Sequence, residues 1–456
     1  MQRILLFALL LLCQTAVAQK TQTERLDSLF NALHAAGNFN GNVLIAKNGV
    51  TLFEQSYGYA DFNSGEKLDT RSVFELASVS KQFTAAAIML LQRSGKLRYE
   101  DELGRWIPEL AFYKGVTIRH LLQHTSGVPD YESLTDSLWT DKRSMMTNDS
   151  LISFFTRYQF APQFEPGAKW SYSNTGYALL AAIIEKASGM SYGAYLGKSI
   201  FRPLGMQQTT VYRRRYEQGR TLSHYAYGYV RDGSNGYVLP DSLPRTSFVY
   251  YLDGIVGDGT VNSTARDLLR WDAALRAGKL LRMEEAYVPA ALAGGKTYPY
   301  GFGWALGKIA GNHIVNHSGG WPGYNTYISR DLDSGTTVIL LKNTEGGGLP
   351  VSAINRILYQ LPDNPKTGLS LPASLLGTYV GVYELVPEFS ITITLERTQL
   401  YAQATRQSRL TLLAEKEDLF KVQGVEARIG FVKKDGVVDH LVLYQGGQEQ
   451  EGRKIK

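Results

Sequence analysis

Residues 77–95 read ASVSKQFTAAAIMLLQRSG. Behind Ser78 and Lys81 comes an apolar run, Phe83 and residues 85–91, that occupies every side of a 3.6-residue period, the pattern of a helix buried all round. Ser94 and Gly95 supply its C-cap. Residues i and i+3 share a helix face, so the Lys81 amine can reach the Ser78 hydroxyl at the helix N-terminus, where free N–H groups and the dipole favour developing negative charge. A hydroxyl beside an amine in that field is the outline of an activated nucleophile.

Ser-x-x-Lys alone is a short pattern, and Ser64-Gly65-Glu66-Lys67 fits it too. That copy lies in a polar, Gly-containing turn with no helix behind it, so context selects Ser78.

The chain has 456 residues, 44% of them hydrophobic, a formal net charge of +6 and a pI near 9.0. This is ordinary globular composition, enough for two domains, and too mildly basic, without a polybasic run, to argue for nucleic acid. Residues 1–18 hold Arg3, an apolar run over 4–12 and Ala16-Val17-Ala18 as a small-x-small cleavage site. They read as a secretory signal peptide, too short to span a membrane, which places the protein outside the cell or in the periplasm. Cleavage after Ala18 would remove Cys13, the only cysteine, and with it all disulfide chemistry. Leu12 is bulky where a lipoprotein signal wants a small residue, which argues against lipid anchoring through Cys13.

Outward from the 77–95 stretch, Leu26, Leu29, Phe30 and Leu33 stand at helical spacing up to Gly37, and 42–46 and 50–57 are β-type runs around the turn Lys47-Asn48-Gly49. Downstream, helices are expected at 117–123, 175–188, 192–201 and 264–277, the last with a capping box between Thr264 and Asp267. Strands return at 302–307, 313–318, 324–330 and 336–342, and a helix closes the region at 351–358. Strands from both ends around a helical middle imply an α+β domain over 19–360, an antiparallel sheet flanked by helices with an inserted helical subdomain. A Pro-rich linker at 361–372 leads to 373–456. There, runs at 378–384, 389–395, 400–403, 410–413, 418–422, 427–432 and 437–444 spell an all-β accessory domain, a small barrel or sandwich.

Two stretches beyond Ser78 carry polar chemistry. Trp170-Ser171-Tyr172-Ser173-Asn174 precedes a helix, so its side chains can project into a cleft at that helix's N-terminus. A tyrosine beside a lysine is a workable proton shuttle, but reference values near 10 and 10.4 must fall by about 3 before either acts as a base at neutral pH, roughly 4 kcal/mol. Burial lowers a lysine and a nearby cation lowers a tyrosine, so Lys81 and Tyr172 both stay candidates. Residues 313–320 (HIVNHSGG) form a strand ending in small residues. Gly319 and Gly320 let a backbone approach, either an extended substrate along a sheet edge or an N–H aimed at an oxyanion.

Ser78-Val79-Ser80-Lys81, Tyr172-Ser173-Asn174 and His317-Ser318-Gly319, in that order, resemble the three motifs of the serine β-lactamase and penicillin-binding protein superfamily. The similarity is to the class C-like branch of D,D-carboxypeptidases, D-aminopeptidases and esterases. Residues 120–127 (HLLQHTSG), Gly257-Asp258-Gly259 running into 263–267 (STARD), and 300–304 (YGFGW) support it, over roughly residues 25–360, and the all-β tail resembles an accessory domain of some such hydrolases. The resemblance implies Ser78 as the acyl-accepting nucleophile, Lys81 as its activating partner, Tyr172 as proton carrier and Asn174 as an orienting amide. It also implies His317, Ser318, Gly319 and Gly320 as a substrate-binding strand, an oxyanion hole from the N–H groups of Ser78 and Gly320, and neither metal nor cofactor. The β-lactamases of this branch usually carry Lys where this chain has His317, and a largely uncharged histidine is a weaker partner for a carboxylate. Members with histidine there resemble peptidases acting on D-amino acids. The expectation is an exported serine hydrolase that cleaves amides of small D-residue peptides through an acyl-enzyme. A carboxylesterase or weak β-lactamase on the same site, and a non-catalytic penicillin-binding or cell-wall-sensing protein, are the rivals. Oligomeric state stays open.

Other matches fail on context. Lys366-Thr367-Gly368 copies the usual third motif but sits in the linker without a strand. Gly189-Met190-Ser191-Tyr192-Gly193 matches a nucleophile elbow but joins two helices, so Ser191 is expected as an N-cap. His120 and His124 have i, i+4 ligand spacing without a carboxylate between them, and the sequon Asn316-His317-Ser318 lies inside the expected cleft.

Overall fold

The computed structural model describes residues 21–456 apart from residue 235 and the segments 362–368, 387–388, 406–408, 424–426 and 446–447. The signal-peptide reading, Cys13 and Lys366-Thr367-Gly368 therefore lie outside the described residues.

The chain enters through α1 (Gln22–Ala35), capped by a reciprocal Thr21–Glu24 box, and then forms β1 (Gly41–Lys47) and β2 (Val50–Tyr57). Asn48 and Gly49 both have positive φ, as the tight hairpin requires. The helix α2 (Lys81–Arg93) follows, then α3 (Asn174–Ser188), α4 (Ala265–Arg276), β3 (Ala305–Ile309), β4 (Asn312–Trp321), β5 (Tyr324–Asp331), β6 (Thr336–Lys342) and α5 (Val351–Leu358). The sheet runs β3-β4-β5-β6-β1-β2, antiparallel throughout, so the two ends of the domain meet where β6 pairs with β1, Lys342 opposite Gly41. Strand alternation sorts the core: Val43 and Ile45 face α1 and α5, while Leu44 and Ala46 join the larger cluster around α2, α3 and α4. Inserted between β2 and β3 is the expected helical region, including helices Tyr131–Leu138 and Asn148–Tyr158 beyond those foreseen.

Several boundaries differ. β3 begins at Ala305 rather than 302, because Gly303 takes φ +74 to press against the start of α2, where a Cβ would lie 2.9 Å from Lys81 and Gln82 backbone atoms. The α4 cap is half a box: Thr264 Oγ1 accepts from Asp267 N–H, but the Asp267 carboxylate instead accepts from Gln208 N–H, the Thr209 hydroxyl and Arg270. The 192–201 helix is α only over Tyr192–Leu196, and Gly197–Phe201 closes as a wider π-turn. At the start of the tail, Ala373–Thr378 is helical, and the strand expected from 378 begins at Gly381.

The tail is a closed antiparallel barrel of β7 (Gly381–Val386), β8 (Phe389–Glu396), β9 (Gln399–Ala404), β10 (Leu410–Ala414), β11 (Leu419–Val422), β12 (Ala427–Lys434), β13 (Val437–Gln445) and β14 (Gln448–Lys454). Seven of these strands coincide with sequence runs. The eighth, QEQEGRK, closes the barrel by pairing with β13 and β7. Tyr379, Tyr383, Phe420 and Phe431 fill its interior.

Candidate active site

Ser78 does not sit in α2 itself. Ala77–Ser80 form a 3₁₀ turn that feeds into the helix at Lys81. Side chains three apart eclipse each other in a 3₁₀ turn, so Lys81 is set directly over Ser78. Ala77, immediately before the serine, has φ +48, and Thr260 across from it has φ +71, both costly for residues with a Cβ. The turn is held there by Leu76 N–H to Val261 O (2.9 Å), Val261 N–H to Ser80 Oγ (3.1 Å) and the Thr326 hydroxyl to Leu76 O (2.7 Å).

Lys81 is fully buried, and its Nζ lies 3.0 Å from Ser78 Oγ, 2.8 Å from Asn174 Oδ1 and 2.8 Å from Asp258 O. The last two can only accept. A neutral amine that gives them its two hydrogens is left with its lone pair on the Ser78 hydroxyl. Burial is the larger influence on Lys81 and pulls it down to about 8, against the opposing pull of Asp258, Glu132 and Asp130.

The 170–174 loop reaches this amine from the N-terminus of α3. Ser173 caps the helix by accepting from Gly176 N–H, and Asn174 N–H donates to Asp130. His124, at φ +58 and 1% exposed, anchors the loop: Ser173 N–H donates to its Nδ1 (3.1 Å) and Ser171 N–H to its carbonyl (2.9 Å). Its ring packs 4.3 Å from that of Tyr172. The Tyr172 phenol lies against the Ser78 hydroxyl, and its ring centroid is 4.9 Å from Lys81 Nζ. Burial pushes that phenol well above its ordinary value, so it is a proton donor at neutral pH.

β4 forms the opposite wall. β3 pairs with it only as far as Asn316, so residues 317–321 have β5 on one side and no strand on the other among the described residues. Gly319 faces inward: a Cβ there would sit 2.2 Å from Leu76 O and 2.4 Å from Thr326 Oγ1. The backbone that packs against its α-carbon is the nucleophile's own turn. Ser318 and Gly320 are exposed along the free edge.

His317 lies beside the site, its ring centroid 6.3 Å from that of Tyr172. It is buried, and its Nδ1–H donates to Ser318 O (2.7 Å), which leaves Nε2 to accept from the Tyr300 hydroxyl (2.9 Å). Burial and Lys81 hold it down to about 3, neutral with both nitrogens engaged. It buttresses the wall and offers no charge.

The rejected matches take other roles. Ser64 accepts from Glu66 N–H in an exposed turn while Lys67 lies over the Tyr59 ring, and Ser191 accepts from Ala194 N–H as the N-cap of the helix after α3. His120 Nδ1 accepts from Thr117 N–H, apart from His124's task. Asp130, and the use of Asp258 through its carbonyl, were not foreseen. The first could be read from the Gly-Val-Pro-Asp turn before a helix, but the second has no side-chain signal.

The sequence profile of the Beta-lactamase family matches residues 26–360, and that of a Domain of unknown function (DUF3471) matches 366–454. The chain is 42% identical over 453 residues to Penicillin-binding protein 4* of Bacillus subtilis, covering 96% of this chain and 100% of that protein. Among solved structures, the octameric penicillin-binding protein homologue from Pyrococcus abyssi superposes with a TM-score of 0.65 at 25% identity, over 94% of this chain and 99% of that one. The D-amino acid amidase of Ochrobactrum anthropi SV3 gives 0.60 at 27% identity, over 74% and 96%. With a serine, a buried lysine and a loop tyrosine gathered on that shared scaffold, the chain belongs to the Beta-lactamase family and is a serine hydrolase of its penicillin-binding-protein-like kind.

Proposed function

We propose that the protein is exported by its N-terminal segment and hydrolyses amide bonds of small peptides or amides of D-amino acids through an acyl-enzyme on Ser78. The observation that carries this is the Lys81 amine, 3.0 Å from Ser78 Oγ with its hydrogens committed to Asn174 and Asp258. Lys81 takes the Ser78 proton as Oγ bonds to the substrate carbonyl carbon. The N–H groups of Ser78 and Gly320 receive the oxyanion. The Tyr172 phenol gives its proton to the leaving amine as the C–N bond breaks, and regains one from Lys81. Water then attacks the ester, losing a proton to the same pair, and Ser78 Oγ leaves as the hydroxyl.

Two features favour D-amino acid amides over β-lactams. His317 is neutral and saturated, so the wall lacks a fixed cation for a β-lactam carboxylate. One structural relative acts on D-amino acid amides by name. A panel of D- and L-aminoacyl amides, esters and β-lactams tests the reading. Turnover of the D-amides above the L-amides and β-lactams is expected. Preferred turnover of L-amides or β-lactams would contradict it.

A further inference from the structure

Tyr172 meets the Ser78 hydroxyl with its phenol, yet it stands in a loop rather than in a helix or strand. A loop side chain is placed closely only when groups outside the loop hold the backbone on both sides of it. The two N–H groups that flank Tyr172 end on one residue. Ser171 N–H donates to the His124 carbonyl at 2.9 Å, and Ser173 N–H donates to the His124 ring at Nδ1, at 3.1 Å. That ring also packs on the phenol ring, with centroids 4.3 Å apart and planes 35° from each other.

His124 follows the short helix Ile118–Leu122 at φ +58, a conformation unfavourable for a residue with a Cβ. Its ring is enclosed by those of Tyr172, Tyr300, Tyr177 and Trp170, with centroids 4.3–5.9 Å away. Burial, Lys81 and His317 keep it neutral. Because Nδ1 accepts from Ser173 N–H, the single ring proton is on Nε2, which has no hydrogen-bond partner among the described residues. The acceptor is in use and the donor is idle, so an acceptor at the Nδ1 position is what the fold takes from this side chain.

We propose that His124 is the positioning residue for proton donation by Tyr172: its ring and carbonyl hold the backbone on either side of the tyrosine and fix the phenol where it serves the leaving group. This rests on the proposed hydrolysis at Ser78, in which Tyr172 protonates the leaving amine. The rest of the machinery is held by other contacts. The Ser78 turn is tied to Val261 and Thr326, and Asn174 N–H to Asp130. Loss of the His124 acceptor therefore slows chiefly those reactions that need the phenol's proton. An amide nitrogen has to gain a proton as the C–N bond breaks, whereas p-nitrophenolate leaves as a stable anion.

The test measures kcat/KM, which reports acylation, for D-alanine amide and D-alanine p-nitrophenyl ester on the full chain. His124→Phe keeps a flat ring and removes the acceptor. It lowers the amide-to-ester ratio about tenfold or more, while the ester alone changes by less than about threefold. His124→Asn tolerates positive φ and puts Oδ1 near the place of Nδ1, so it returns the ratio to within about threefold of wild type and guards against a folding defect in the first variant. Tyr172→Phe lowers the ratio too, and adding His124→Phe to it lowers it by less than about twofold more, because one residue acts through the other. Equal loss on both substrates in His124→Phe, an unchanged ratio, or no recovery in His124→Asn overturns the proposal and leaves hydrolysis at Ser78 standing. An unchanged ratio in Tyr172→Phe overturns the proton-donor step and the proposal with it. Where wild type does not cleave the amide, D-alanine methyl ester, whose alkoxide also needs a proton, replaces it, so failure of the amide reading is distinct from failure of this one. Heteronuclear NMR with nitrogen-labelled histidine adds a readout free of turnover: at neutral pH the ring signals lost in His124→Phe belong to the Nε2–H tautomer, and a protonated Nδ1 overturns the proposal.

Discussion

Lys81 decides the chemistry at the scale of single residues. Burial and three nearby acids pull its proton affinity in opposite directions, and burial wins, bringing the amine to about 8 while the Tyr172 phenol moves the other way. Under the proposed function, the base left open by sequence is Lys81, with Tyr172 as donor. Because the reactive form is the deprotonated amine, kcat/KM should rise with pH, about tenfold per unit below 8, and level off above it. Initial rates at low substrate from pH 5 to 10 check this, and a rate that falls over that range would reverse the assignment. Lys81→Met keeps the length and removes the base, so turnover should fall by about a hundredfold or more, measured on the same substrate. Ser78, Lys81 and Asn174 could be read from sequence because spacing and a following helix are one-dimensional signals. The Asp258 carbonyl on Lys81 and the saturation of His317 by Tyr300 could not, since each depends on what folding brings near.

At the scale of elements, β4 and the nucleophile turn are fitted to one another. Gly319 leaves room for Leu76 O, the Thr326 hydroxyl holds that oxygen, and the turn accepts positive φ at Ala77 in exchange. Gly319→Ala should force β4 away from the turn, costing about 1–3 kcal/mol of stability and lowering kcat. Denaturant unfolding and steady-state assays read the two effects, and Gly320→Ala, where no atom lies within 4 Å of the added Cβ, should spare stability. Unchanged stability in Gly319→Ala would mean the contact is not tight. The sheet and its flanking helices were legible because Val43, Leu44, Ile45 and Ala46 are apolar on both faces of a strand between two helical layers. QEQEGRK was not, because Gly452 is the one buried residue among 449–454 and no apolar alternation marks the stretch as a strand. The 3₁₀ turn at Ala77–Ser80 is not distinguishable from α-helix in the sequence, since an i, i+3 pair fits both geometries.

The molecule as a whole has two separate kinds of core. The clusters on the two faces of the sheet share no residue with the cluster inside the barrel, whose interior is filled by its own aromatics. Calorimetry should resolve two unfolding transitions, and Phe431→Ala, which empties the barrel centre, should destabilise one by about 3–5 kcal/mol and leave the other in place. A single transition shifted as a unit would show that the two cores unfold together. The account depends above all on Ser78 being the atom that carries the acyl group. Peptide mapping by mass spectrometry after brief exposure to a fluorophosphonate or a D-aminoacyl ester tests this most directly. The adduct should lie on the peptide containing Ser78, be absent from Ser78→Ala, form about a hundredfold more slowly in Lys81→Met, and be unchanged in Ser64→Ala and Ser191→Ala. An adduct of equal yield in Ser78→Ala, or one mapped to another serine, would contradict it.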